Sequence, residues 1–317
     1  MWLKLRLYLV MAVMFAIVYG LVAFAASYMG VTGFYFYGIL ASVMLFIQYM
    51  IGPKMVEWSM GVRYVSETEY PALHRMVGEL ASYARIPKPR IGIAKIPVPN
   101  AFAFGRWESD GRVCVTEGIM NLLDEKELRA VLGHEMSHLK HKDVVVLTMI
   151  SVIPMICWYL AWNSLFSGGR ERGNNVLIGI AAFVLYLVTN LLVLYVSRVR
   201  EYYADEGSVE LGSAPHHLAS ALYKLVYGSA RVSKDSLKQV EGMKAFFAND
   251  PSLAGNDLRE LSQIDLDRNG SIDRNELMML RTKPVKIKTT DKIMEILSTH
   301  PNMLKRIQRL STLQSAY

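Results

Sequence analysis

Residues 124–149 read DEKELRAVLGHEMSHLKHKDVVVLTM, a charged helix start that leads straight into an apolar run. Asp124 followed three positions later by Glu127 is a capping-box pattern. Leu128, Val131 and Leu132 continue the helix, which carries Gly133-His134-Glu135-Met136-Ser137-His138 and is expected to run on into the stretch from Val144. Two histidines four apart project from one helix face about one turn from each other, so both imidazoles can bind one zinc ion. Glu135, offset by one residue, can reach a water beside that ion and is the natural general base. A catalytic zinc keeps three protein ligands and an open position, so a third ligand is required. The extended zinc-protease pattern would place Gly at 141 and His at 144, but His141 and Val144 stand there. His141 is therefore read as a supporting or solvated residue, and a carboxylate on another helix becomes the natural third ligand.

The rest of the chain says where that helix can be. Of 317 residues, 52% are hydrophobic, 20% are charged, and the formal net charge is +7. Leu7–Ser27, Val31–Ile51, Val144–Ser167 and Val176–Ser197 contain no Asp, Glu, Lys or Arg. Those stretches hold 88 residues, so all 63 charged side chains fall in the other 229, an ordinary soluble-domain density. Each stretch reaches the roughly 20 residues a helix needs to cross a bilayer. Trp158, Tyr159, Trp162 and Tyr195 lie near ends, where interfacial aromatics collect. This distribution excludes a disordered chain, a disulfide scaffold and a fully soluble two-domain enzyme. The first stretch reads as a retained anchor, because its apolar run is too long for a signal peptide and a second run follows at once. Cys114 and Cys157 fall in a strand and a span and read as reduced packing residues.

Lys4, Arg6, Lys54, Arg63, Lys140, Lys142, Arg198 and Arg200 flank the spans on one side, against Arg170 and Arg172 on the other. The positive-inside rule then puts both termini and residues 52–143 and 198–317 in the cytoplasm of a multi-pass plasma-membrane protein. The basic excess is spent on orientation against lipid, and no nucleic-acid partner is expected. Spans three and four return the chain to the face it left, at Arg198-Val199-Arg200-Glu201-Tyr202-Tyr203-Ala204-Asp205. Glu201 emerges about 6 Å past Ser197 along a helix, close in depth to His134 and His138. Asp205, one turn on, shares its face and could accept the free ring N–H of a zinc histidine.

Before the histidine helix, residues 66–84 read as a helix, and Arg90–Ile96, Ala101–Gly105 and Arg112–Thr116 as short strands, the last two forming a hairpin. Here the chain resembles the HtpX-like integral-membrane zinc endopeptidases, relatives of the CAAX prenyl proteases. The resemblance rests on Asn100-Ala101-Phe102-Ala103, the block from Gly133 to His138, Glu201-Tyr202-Tyr203-Ala204-Asp205 and Thr299-His300-Pro301, and covers most of the chain. It implies His134, His138 and Glu201 as zinc ligands, Glu135 as catalytic base, Asp205 behind the ligands, and His300 or Arg306 helping to stabilise the oxyanion. It also places Asn100, Ala101, Phe102 and Ala103 beside the substrate. A short strand of alternating Ala and Phe there, close in sequence to the histidine helix, could pair with an extended peptide through main-chain groups, although a core strand is the alternative.

Residues 265–276 depart from that resemblance. Asp265, Asp267, Asn269, Asp273 and Glu276 occupy oxygen-ligand places of a twelve-residue EF-hand loop, with Ser271 between them, Gly270 at the turn and Ile272 at the apolar place. Calcium is the expected ion, bound weakly because Arg268 and Arg274 lower the local charge. Magnesium and a plain acidic turn are the alternatives.

The expected fold is mainly α: four transmembrane helices and a cytoplasmic zincin-type domain with a small β-sheet and a single EF-hand-like loop. Residues 1–51 form an N-terminal membrane hairpin and 144–197 a second. Residues 52–143 and 198–317 form the catalytic domain, with the insertion near 258–281. The expected activity is zinc-dependent hydrolysis of peptide bonds in membrane or misfolded proteins, a quality-control and stress function. A prenyl-protein protease and a catalytically silent, calcium-responsive membrane scaffold are the alternatives.

Overall fold

The computed structural model describes residue 46 and residues 49–166, 172–233, 254–281, 287 and 289–313. The expected hairpin of spans one and two lies almost wholly outside these residues. The chain divides into two compact units, with boundaries after Gly52, after Val144 and after Val199.

In the unit that holds Pro53–Val144 and Arg200 onward, the part from Pro53 of a helix over 49–59 (α1) leads into a four-stranded sheet. Strand β1 (Val62–Tyr64) runs antiparallel to β2 (Arg90–Ala94), and β2 runs parallel to β4 (Arg112–Thr116). Strand β4 is antiparallel to β3 (Ala101–Phe104), which ends the order at one edge. Both faces of the sheet are covered, which is why every residue of β4 is buried. Ile91, Ile93, Val113 and Val115 pack on one side with α2 (Pro71–Ala84) and α4 (Glu125–Lys140), reached through the short α3 (Glu117–Leu122). Phe102, Phe104 and Cys114 meet Val56 and Met60 on the other. A Cβ at Gly92 would stand 2.6 Å from Val62 Cγ1 and 2.8 Å from Cys114 Sγ, so only glycine fits that crossing of strands.

Two boundaries differ from expectation for local reasons. Helix α2 starts at Pro71 and not at residue 66, because proline suits the first helical turn and Glu69 ties down Ser66 and Arg63 in a turn before it. Helix α4 does not continue into the apolar run: it stops at Lys140, Lys142 takes a left-handed φ of 56°, and α5 (Asp143–Phe166) begins afresh. The turn is held from outside, since Arg200 donates to the His141 carbonyl at 3.1 Å.

Helices α5 and α6 (Arg172–Glu210) are both long and apolar enough to cross a membrane. Within the unit of residues 145–199 they pair antiparallel. Ile150 and Ile153 bury against Val196, Trp158 meets Phe183 and Tyr186, and a Cβ on Gly179 would press on Leu165. Outward-facing Met149, Leu177, Ile180 and Val184 are exposed, the reverse of a water-soluble helix pair.

The later helices complete the first unit's core: α7 (Pro215–Arg231), α8 (Ala254–Leu261), α9 (Arg274–Leu280), α10 (Thr289–Ile296) and α11 (Met303–Leu310). Leu261, Ile264, Ile272, Leu277 and Leu280 join the same cluster as Leu222 and Ile307, so the 254–281 segment is built into this core.

A buried cation staples the hairpin to α1. The Arg112 guanidinium, 2% exposed, reaches Glu57 Oε1 at 2.9 Å, Asp110 Oδ2 at 2.9 Å and the Asp110 carbonyl at 2.8 Å. Burial opposes ionisation of Asp110, but Arg106 and Arg112 outweigh it and hold its carboxyl at about 2. The stabilisation is therefore complete above the ordinary aspartate value of about 3.9 and is lost as pH falls towards 2. Arg112→Met strands two carboxylates and is expected to cost about 3–5 kcal/mol. Urea unfolding of the full chain in detergent measures this, and a loss below about 1 kcal/mol would refute the staple.

Candidate metal centre

The histidine helix begins as its sequence demands. Asp124 accepts from the Lys126 and Glu127 backbone N–H groups, and Glu127 returns a bond to the Asp124 N–H. Its partner is the last part of α6, residues 200–210, and the two helices approach closely. Ser208 Oγ donates to the Ala130 carbonyl at 2.6 Å. A Cβ on Gly207 would lie 2.1 Å from Ser137 Oγ and 2.6 Å from Ser137 Cβ, and one on Gly133 3.1 Å from Ser208 Oγ.

That approach brings three donor groups together. His134 Nε2 and His138 Nε2 are 3.1 Å apart. Glu201 Oε2 is 3.6 Å from His134 Nε2, and its Oε1 is 3.5 Å from His138 Nε2. Ligands about 2.0–2.1 Å from a tetrahedral ion sit roughly 3.3 Å from one another. Two imidazoles and one carboxylate at these separations fit a divalent metal with nitrogen and oxygen preferences. Glu135, 5% exposed, adjoins the group, and the nearby Ala103 backbone favours its ionised form.

Each histidine is backed by a carboxylate, and each carboxylate by an arginine. His134 Nδ1 lies 3.0 Å from Asp205 Oδ1, and His138 Nδ1 lies 2.6 Å from Asp143 Oδ2. Arg306, fully buried, donates from Nε and Nη2 to Asp205 at 2.9 and 2.7 Å, and its Nη1 is 3.0 Å from Glu201 Oε2. Arg200 pairs with Asp143. His300 Nδ1 stands 3.5 Å from Glu201 Oε2.

The charges set the proton affinities. Burial pushes the Glu135 carboxyl above the usual range, against the pull of His134 and His138. Burial would raise Glu201 as well, but His300, Arg306 and the two imidazoles hold it well below the usual range. Asp205 is likewise lowered, burial being outweighed by Arg306 and His134. Burial disfavours a charge on His134, yet Asp205 and Glu201 raise its affinity for a proton. Glu135 is thus the one carboxyl of this group shifted towards neutrality.

His134, Glu135, His138, Glu201, Asp205, His300 and Arg306, singled out in the sequence, meet in one place. Ala103 reaches the same place through its backbone, while Asn100, Ala101 and Phe102 are buried along β3. His141 turns away, its Nδ1 2.9 Å from the Ser137 carbonyl of its own helix. Asp143 and Arg200 also join the centre, although in the sequence Arg200 is only one of the basic residues flanking the spans. A carboxylate placed immediately before an uncharged membrane-length run was the available signal.

The second cluster is separate. Asp265, Asp267 and Glu276 each offer a carboxylate oxygen within 4.8 Å of the others. Gly270 adopts φ 81°, Asn269 Oδ1 accepts from the Ser271 N–H, and Asp273 caps α9 in a box with Glu276. Tyr223 of α7 donates to Asp265 at 2.8 Å.

Residues 67–314 match the profile of Peptidase family M48. The chain belongs to that family. It is a metalloprotease, a hydrolase of peptide bonds. It is similar to proteins named Protease HtpX homolog. That of Methanothermobacter thermautotrophicus is 56% identical over 224 residues, 71% of this chain and 86% of the relative. That of Moorella thermoacetica is 42% identical over 231 residues, 70% of this chain and 77% of the relative. The Thermoplasma acidophilum protein is 31% identical over 332 aligned positions, 98% of this chain and 97% of the relative. Among solved structures, the crystal structure of S. mikatae Ste24p is similar in fold, with a TM-score of 0.54 at 15% identity. That match covers 96% of this chain and 64% of the Ste24p chain.

If the close approach of the helices assembles this protease's metal group, Gly207→Ala should push α6 from Ser137. The expected loss is about 1–3 kcal/mol of stability together with weakened metal retention. Thermal unfolding and metal analysis of the purified variant test this; wild-type values for both would show that the helices do not depend on the glycine.

Proposed function

We propose that this membrane metalloprotease holds one zinc ion through His134, His138 and Glu201 and cleaves peptide bonds at the cytoplasmic face of the membrane. The observation that carries the reading is the spacing of the three donors, 3.1–3.6 Å apart, with Glu135 buried alongside. Bound zinc would acidify the attacking water and polarise the scissile carbonyl.

The chain's residues account for the remaining chemistry. Glu135 takes one proton from the water as its oxygen attacks the carbonyl carbon. It delivers that proton to the departing amide nitrogen as the C–N bond breaks. Its carboxyl is shifted upwards by burial, which suits a group that must both accept and return a proton. Arg306 is committed to Asp205 and Glu201, so its role is to hold the ligand and its support. His300, beside Glu201, remains as the group to face the developing oxyanion.

Strand β3 supports an extended substrate. It is an edge of the described sheet, and its Ala103 backbone lies close to Glu135. A peptide added at that edge would be held by main-chain groups with little sequence preference. Membrane and misfolded proteins are accordingly the substrates we propose, in keeping with a quality-control role. The two membrane-length helices and the basic residues around them support a four-span, multi-pass placement with the site on the cytoplasmic side.

Calcium at residues 265–276 is the second ion in this reading. Its support is the order of oxygen ligands, the convergence of Asp265, Asp267 and Glu276, and the helices on either side. The loop would act as a single EF-hand whose missing partner is replaced by α7 and α11, against which α8 and α9 pack.

Zinc analysis and casein cleavage by the detergent-purified chain test the first reading. Glu135→Gln should retain about one zinc per chain yet lose cleavage by at least 100-fold, and a chelator should abolish wild-type activity. Equal cleavage by variant and wild type would refute the mechanism. For the loop, calorimetric calcium titration should give one site in the wild type and none in Asp267→Ala or Asp265→Ala. Identical isotherms would remove the site.

A further inference from the structure

The zinc reading leaves one buried charge cluster without a function, the pair of Asp143 and Arg200. Asp143 and Arg200 are each 6% exposed. An aspartate at the first position of an apolar helix is costly to bury, and a simple helix cap would not need a buried guanidinium behind it. Three contacts define what the pair does. Asp143 Oδ2 lies 2.6 Å from His138 Nδ1, Arg200 pairs with Asp143, and Arg200 Nη2 donates to the His141 carbonyl at 3.1 Å. The last contact fixes the left-handed turn at Lys142, and that turn is what folds Asp143 back towards His138.

We infer that Asp143, clamped by Arg200, is the positioning residue that aims His138 Nε2 at the zinc ion; the inference rests on the zinc site proposed above. Asp143 accepts the Nδ1–H of His138, which leaves the Nε2 lone pair facing Glu201 and His134. Arg200 pairs with that carboxylate and holds it in place behind the imidazole. The arrangement parallels the one at His134, where Asp205 stands 3.0 Å from Nδ1 and Arg306 clamps it. Both halves depend on one stretch of α6. Arg200 acts through Asp143 on His138, Glu201 enters the donor group itself, and Asp205 holds His134. A single helix segment thereby sets the orientation of all three donors.

The test compares Asp143→Asn, Asp143→Ala and wild type as full chains in detergent. Zinc affinity is read by competition with a chromophoric chelator, and the visible spectrum is read after cobalt substitution. Asparagine is nearly isosteric with aspartate and has a similar helix propensity, so Asp143→Asn preserves α5 while removing the charged acceptor. Both variants are expected to bind zinc about 10–100-fold more weakly, with altered cobalt bands. Arg200→Gln should weaken binding too, and the Asp143→Ala/Arg200→Gln double variant should be no worse than Asp143→Ala alone. Wild-type zinc affinity and cobalt bands in Asp143→Asn would overturn this inference and leave the zinc site standing. A wild-type protein that binds no zinc would overturn both.

Discussion

The centre depends on one electrostatic constraint: two carboxylates, Glu201 and Asp205, are buried beside two imidazoles and share a single buried arginine. Placing such charges away from water is unfavourable by several kcal/mol each unless they are paired and hydrogen-bonded. Arg306 meets that requirement with three contacts of 2.7–3.0 Å. It sits on the buried face of α11, where Met303, Leu304, Ile307 and Leu310 are also buried. Those four side chains contribute about 1.5–3 kcal/mol each, enough to hold the guanidinium inside. Asn302 caps the helix and extends the support to Glu260 of α8 at 2.7 Å. The C-terminal helix therefore belongs to the centre although it supplies none of the three donors.

The same constraint explains the packing nearby. Charged groups brought this close need helix backbones closer than ordinary side chains allow, and Gly133 and Gly207 provide the room. The break at His141 and Lys142 serves the centre as well. A straight helix from α4 into α5 would have carried Asp143 about 7.5 Å along the axis from His138, beyond hydrogen-bond reach. The turn spends one left-handed residue to place the carboxylate behind the imidazole.

Much of this was legible in the sequence because it obeys short-range rules. The capping box at Asp124, the four-residue spacing of His134 and His138, and the uncharged run from Val144 need no tertiary information. Glu201 and Asp205 could be paired with the histidines because a membrane-length hairpin must return the chain to its starting face. Two features followed other rules. The turn at Lys142 depends on Arg200, 58 positions later, and no local pattern announces a residue forced left-handed from outside. The burial of Arg306 depends on α11 docking against α7 and α8, and in sequence it is one basic residue among several. The segment 254–281 was legible as a loop motif, but its burial against Leu222 and Ile307 was not.

The central claim is that two imidazoles and one carboxylate hold a single zinc ion. Zinc K-edge X-ray absorption on the purified full-length protein loaded with one equivalent of zinc tests it most directly. The account predicts two imidazole nitrogens and oxygen scatterers at about 2.0–2.2 Å in a four- or five-coordinate shell. A sulfur scatterer near 2.3 Å, a shell without imidazole, or an unchanged spectrum in His134→Ala would contradict it.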